Sequence, residues 1–314
     1  MTRPIATPAH APARTRRRQR SSSLLRSALV VALVVTLLFA LPTMVGAFRD
    51  SHLQSPGPGR VEGQVAMSGL ESGACMSFAP AMGQAPKTVF VDPGHGGLDP
   101  GVVGQVNGQD VQEKDVALSV GTRLAGLLQS DGYRVVMSRT KDSSVMKLSS
   151  SDSVDGSMKS TSVERDLVTR AACANASNAS MLLSIHFNAF GDPGVGGTET
   201  FYDDARSFTA QNKRLATDVQ RALVSALGTT DRGIWTDDQL TTALTATGSA
   251  YGHLIELGPA QAGYVDTPSQ MPGALVEPLF LTNESEARLA DSSSGQQQIA
   301  QALRSGVERY LSGS

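Results

Sequence analysis

From Val89 to Leu311 the chain alternates short runs rich in β-branched and aromatic residues with longer stretches of helical periodicity, and this alternation constrains the fold more than any other feature. Val89-Phe90-Val91, Tyr133 to Met137, Met181 to Phe187, Thr198 to Tyr202 and Ala274 to Phe280 read as strands, with a weaker sixth around Leu254-Ile255. Between them, Val116, Val120, Leu124 and Leu127 share one helical face, as do Phe208, Leu215, Val219 and Ala222, and later Ile299, Leu303, Val307 and Leu311. The pattern predicts an α/β fold with a single open, twisted, mostly parallel sheet of about six strands, covered by helices on both faces. In such sheets ligands gather beyond the carboxyl ends of the strands, so polar residues that close a strand pattern draw attention first.

The regions outside this alternation divide the chain. Arg14, Arg16, Arg17, Arg18, Arg20 and Arg26 precede an apolar run from Ala28 to Ala47, the layout of an export signal. Val45 and Ala47 offer small residues for cleavage before Phe48; left uncut, the run is long enough to act as a membrane anchor. Residues 1–47 are therefore expected to be a signal peptide or signal anchor, and the remainder to lie outside the cytoplasm. Residues 48–86, rich in Gly, Pro, Ser and Ala, read as a flexible linker, and 87–314 as the folded domain. Within it, 141–162 is a Ser-rich insertion without periodicity, expected to be a long loop that is either a lid or disordered. Formal net charge is −2, which argues against nucleic acid as a partner. Cys75 and Cys173 are too few for a thiolate metal site; an exported protein can join them, or they stay two unrelated thiols.

Three constellations carry chemistry. Phe90-Val91-Asp92-Pro93-Gly94-His95-Gly96-Gly97 runs from a strand into a tight turn that presents His95. Glu113 opens a helix, where capping-box spacing from Asp110 offers a purely structural explanation. Leu182-Leu183-Ser184-Ile185-His186-Phe187-Asn188 delivers His186 at the end of a buried strand. Taken singly, each is as well explained by a surface, capping or core role. Taken together they offer two imidazoles and one carboxylate, a ligand set that suits catalytic zinc. Their spacing is not a compact metal motif, so the pattern by itself does not establish the site.

In this order, the three segments resemble the zinc-dependent N-acetylmuramoyl-L-alanine amidases of the amidase 3 type. Gly132 to Thr140, the helix with Arg170, Ala174 and Asn175, Gly197 to Tyr202, and Gly273 to Asn283 with Glu277 extend the resemblance over roughly Lys87 to Leu311. The Pro278-Leu279 pair departs from the small residue usual before Phe280, and residues 141–162 and about 228–272 match poorly. The resemblance implies that His95, Glu113 and His186 hold zinc, that Glu277 is the general base, and that peptidoglycan is the substrate, cut between N-acetylmuramic acid and L-alanine. It names no regulatory protein partner. Glu256, in Glu256-Leu257-Gly258, is a second candidate base, but it lacks the Phe and Asn that follow Glu277 and reads as an exposed or hydrogen-bonded strand residue. Two other readings are a zinc peptidase cutting within the stem peptide, told apart by its new peptide carboxylate, and a non-catalytic peptidoglycan-binding domain. The second fits poorly, because all four polar residues are present.

Overall fold

The strand patterns become the middle of a larger sheet. In chain order its strands are β1 (Val61–Gln64), β2 (Ala74–Phe78), β3 (Thr88–Pro93), β6 (Arg134–Arg139), β9 (Met181–Ile185), β10 (Thr198–Tyr202), β11 (Asp231–Thr236) and β12 (Gly273–Glu277). Two small hairpins stand apart, β4 (Val103–Val106) with β5 (Gln109–Gln112) and β7 (Ser153–Val154) with β8 (Ser157–Met158). The computed structural model describes residues 59–83, 87–239 and 251–313, so the expected signal segment lies outside the described residues. Among the described residues no helix is long and apolar enough to cross a membrane.

Among the described residues the sheet has eight strands in the order β1-β2-β6-β3-β9-β12-β10-β11. Pairings β3–β6, β3–β9, β9–β12 and β10–β11 are parallel, while β1–β2, β2–β6 and β10–β12 are antiparallel. The sheet is thus mixed and wider than the six strands expected. β1 and β2 come from the segment expected to be a flexible linker, which is corrected here: Ala74, Cys75 and Phe78 are buried against the edge of β6. A chain starting at Lys87 would lose both strands. The expected strand around Leu254-Ile255 is instead a turn, and β11 is a strand beyond those the pattern predicts.

Among the described residues the helices α1 (Glu113–Ser130), α2 (Ser160–Ala176), α3 (Thr209–Leu227), α4 (Glu284–Asp291) and α5 (Ser293–Ser312) accompany the sheet. Because successive strand side chains point to opposite faces, Val89 and Val91 join one core with Val120, Leu124, Val219 and Leu303, while Phe90 joins the other with Cys173, Leu257 and Leu275. The 141–162 segment is ordered, not a structureless loop. Asp166 of α2 accepts the backbone N–H groups of Val145 and Met146 at 2.8 and 2.7 Å, and Asp152 gathers Ser149, Ser162 and Arg165. Its Ser-rich composition hid these anchors because each is one carboxylate serving several short polar donors.

Cys75 of β2 and Cys173 of α2 form a disulfide across a sequence separation of 98 residues, with both residues fully buried. Cross-linking so long a loop restricts the unfolded chain strongly. Replacing both cysteines by alanine is expected to cost about 2–4 kcal/mol, read as a lowered Tm in which reductant no longer has an effect.

Candidate metal centre and catalytic cleft

β3, β9 and β12 run parallel side by side and end at the same margin of the sheet. His95 follows β3, His186 follows β9, and Glu277 closes β12. Glu113, the first residue of α1, enters from the side and is buried at 2% exposure. It caps nothing: Asp110 pairs within the β4–β5 hairpin, and no side chain caps α1. The structural explanation of Glu113 therefore gives way to its site position. Oε2 accepts the Val102 N–H and Oε1 the Phe187 N–H, both at 2.8 Å, which aims the carboxylate at the two imidazoles.

Three donor atoms converge. His95 Nε2 lies 3.1 Å from Glu113 Oε1, His186 Nδ1 lies 3.0 Å from the same oxygen, and the two ring nitrogens are 3.1 Å apart. A tetrahedral zinc site with bonds of about 2.0–2.1 Å has donor atoms roughly 3.3 Å apart, so this nearly equilateral triangle fits such an ion. The groups can hold a metal.

Close packing in this loop is built on glycine. A Cβ at Gly94 would meet the His186 ring at 2.4 Å, and one at Gly101 would meet Glu113 Oε2 at 2.5 Å. His95 itself sits at φ +60°, an uncommon conformation for a side chain other than glycine. It is held there by Asp99, whose Oδ2 is 2.8 Å from His95 Nδ1. That contact leaves Nε2 to face Glu113. Burial alone would push the His95 imidazole down, but the Glu113 and Asp99 carboxylates outweigh it and lift it to about 10. Glu113 is correspondingly held well below the usual range, burial being outweighed by the two histidines. Sequence reasoning missed Asp99, although its offset of four residues from His95 within the same glycine-rich turn was the available signal.

Two fully buried arginines secure the loop from behind. Arg139 donates to the carbonyls of Pro93, Gly94 and Lys114. Arg170 donates to Asp92 Oδ1 at 2.8 Å, to Asp166, and to the Pro93 and His95 carbonyls. Burial would raise the Asp92 carboxyl, but Arg170, with help from the Ser138 and Ser184 hydroxyls, holds it at about 2. An unfolded aspartate titrates near 3.9. The folded carboxyl thus releases its proton more readily, and its contribution to stability is full above about pH 4 and lost as pH falls from there toward about 2. Asp92→Asn should therefore destabilise most at neutral pH, with the gap to the parent narrowing through that window in acid-unfolding curves.

The donor triangle opens on a cleft of about 510 Å³, whose walls include Glu277, Glu256, Met158, Leu254 and Asn188. Glu277 is 6% exposed, and its Oε2 is buried with no hydrogen-bond partner among the described residues. Burial, then the Glu113 carboxylate, push its carboxyl well above the usual range. Its cross-strand neighbour Glu199 is engaged by Asn188 and Arg232. Glu256 lies in a turn, not on a strand, and is buried at 4% exposure. It faces Asp92 and takes the Ser184 hydroxyl at 3.3 Å; burial and the Asp92 charge raise its carboxyl well above the usual range. The expectation of an exposed or strand-borne Glu256 is thus corrected.

Residues 89–309 match the family described as N-acetylmuramoyl-L-alanine amidase. The Bacillus subtilis protein YqiI is 33% identical over 243 residues, which covers 76% of this chain and 93% of YqiI. The N-acetylmuramoyl-L-alanine amidase LytC of the same organism is 32% identical over 224 residues, 71% of this chain but only 35% of LytC. Among solved structures, the CwlD amidase from Clostridioides difficile, in complex with the GerS lipoprotein, superimposes with a TM-score of 0.56 at 28% identity, covering 73% of this chain and 100% of that one.

Proposed function

We propose, from the premise that the chain belongs to the N-acetylmuramoyl-L-alanine amidase family, that it is an exported, zinc-dependent hydrolase cutting peptidoglycan between N-acetylmuramic acid and the L-alanine of the stem peptide. The observation that carries this reading is the 3.0–3.1 Å triangle of His95, Glu113 and His186 donor atoms in a cleft that also holds Glu277. The buried Cys75–Cys173 disulfide supports export, since such bonds persist in oxidising compartments.

His95, Glu113 and His186 would hold the zinc, which when bound would supply an activated water and polarise the scissile carbonyl. Asp99 keeps the His95 ring turned so that Nε2 faces the site. Glu277 takes the proton of the attacking water and returns it to the amide nitrogen. The hydroxyl then ends on the lactyl carbonyl carbon and the hydrogens on the freed L-alanine amine. Burial and the neighbouring Glu113 carboxylate raise the Glu277 carboxyl above the usual range, which makes it a stronger proton acceptor than an exposed glutamate.

Mass spectrometry of muropeptides after incubation with the zinc-loaded protein tests the reading. A free lactyl carboxylate on muramic acid, paired with a stem peptide beginning at L-alanine, is expected. A new carboxylate within the stem peptide, or intact muropeptides, would overturn it.

Met158 of β8 and Val163 of α2 stand on the cleft wall, where they can limit access by a bulky glycan. Replacing Ser153 to Met158 by a short Gly-Ser link is expected to change turnover several-fold on polymeric wall and little on a small muropeptide. Equal effects on both substrates would show that the hairpin is no gate.

A further inference from the structure

Away from the cleft, a second convergence of donors has no part in the chemistry above. Asp203 follows β10 directly and Asp237 follows β11. These strands pair in parallel with Tyr202 opposite Thr236, so the two aspartates emerge side by side. Both are 0% exposed. His253 completes the group, its Nδ1 lying 2.9 Å from Asp203 Oδ2 and 3.4 Å from Asp237 Oδ1. Each carboxylate spends its other oxygen on backbone: Asp203 Oδ1 accepts the Ala205 N–H and Asp237 Oδ2 the Leu254 N–H, both at 2.9 Å. The two remaining oxygens turn toward the same ring nitrogen.

Two carboxylates buried together are costly unless an opposite charge compensates them. The nearby Arg206 approaches Asp203 only through its backbone N–H, and its guanidinium is committed to the carbonyls of Leu257, Gly258 and Ser269. Asp203 Oδ2 is buried and, among the described residues, takes no hydrogen bond of acceptable geometry, even from His253. A proton on one imidazole nitrogen serves one oxygen well and leaves the other facing it. A cation bound by all three serves both.

We infer that Asp203, Asp237 and His253 form a second divalent-cation site. A mixed carboxylate and imidazole set favours a transition metal such as zinc over calcium, which prefers oxygen donors throughout. The separations of 2.9 and 3.4 Å bracket the donor spacing of roughly 3.3 Å in a tetrahedral zinc site. The site is separate from the first. Asp203 lies four residues beyond Glu199, the cross-strand partner of Glu277, and β10 runs antiparallel to β12. At about 3.3 Å per residue the two groups stand on the order of 13 Å apart along the sheet.

The location gives the cation a structural task. Asp237 holds the Leu254 backbone, and Leu254 to Leu257 form one wall of the cleft, with Glu256 reaching the Ser184 hydroxyl behind His186. A cation bridging the ends of β10 and β11 to His253 would therefore pin the root of that wall. It stabilises the cleft without touching substrate.

The test is zinc stoichiometry of the full chain after equilibration with zinc chloride and removal of free metal. Two equivalents are expected for the parent, and one for both Asp237→Asn and His253→Ala. His95→Ala/His186→Ala should also keep one, and zinc should raise its Tm; adding Asp237→Asn to that background should abolish the rise. A single equivalent in the parent, released by His95→Ala/His186→Ala, would overturn the second site while leaving the first. Two equivalents retained by both Asp237→Asn and His253→Ala would overturn it as well. Loss of zinc from His95→Ala/His186→Ala with none lost from Asp237→Asn separates failure of this inference from failure of the proposed function.

Discussion

Replacing His95 or His186 by alanine is expected to remove zinc from the cleft and to bring muropeptide release down to background. The triangle contains only three protein donors, so losing either imidazole leaves two, and binding affinity in such sites depends on the complete set. The consequence is larger than for other residues of the cleft, because the same ion is asked to supply both the nucleophile and the stabilisation of developing charge. Neither substitution should unfold the protein. His95 and His186 are part-exposed, with side chains at 23% and 13%, and the loop behind them is held by Arg139 and Arg170 through backbone carbonyls that the substitutions leave in place. Zinc content by mass spectrometry, read beside muropeptide release and circular dichroism, checks all three points. A folded variant with full zinc and full rate would take that histidine out of the site.

The four residues singled out from the sequence lie in one cleft, and the reason is topological. His95, His186 and Glu277 each stand at the carboxyl end of a strand whose apolar run is unmistakable, and those strands are neighbours. Glu113 was legible only through the order of motifs, since its helix-opening position had a sufficient explanation in capping. What stayed hidden was short or long-range. β1 carries Val61-Glu62-Gly63-Gln64, mostly exposed and without alternation, and β11 is a margin strand whose Trp235 faces out, so neither has the buried period-two pattern that marks a strand. The Arg170–Asp92 contact joins residues 78 apart, and Asp203 meets His253 from beyond α3 and β11. Such pairings depend on the sheet order, which hydrophobic periodicity does not encode.

Glu277→Gln is expected to keep zinc and lose about two to four orders of magnitude in rate, the usual contribution of a general acid–base group. Glu256→Gln is expected to leave most of the activity. Both carboxyls are buried, both are pushed upward, and both line the same cleft. Their surroundings separate them. Glu277 lies near Glu113 and His95 on the wall of the cleft, and its Oε2 has no hydrogen-bond partner among the described residues. Glu256 looks toward Asp92, Arg170 and Ser184, behind His186, where a proton on its carboxyl relieves repulsion from ionised Asp92. A neutral glutamine reproduces that state at Glu256, whereas at Glu277 it replaces the carboxylate that would take a proton from water with an amide too weakly basic to do so. Glutamine also avoids the cavity that alanine would leave beside Ser184. Muropeptide release with zinc content measured in both variants decides the matter: a large loss at Glu256→Gln with activity kept at Glu277→Gln would exchange the two roles.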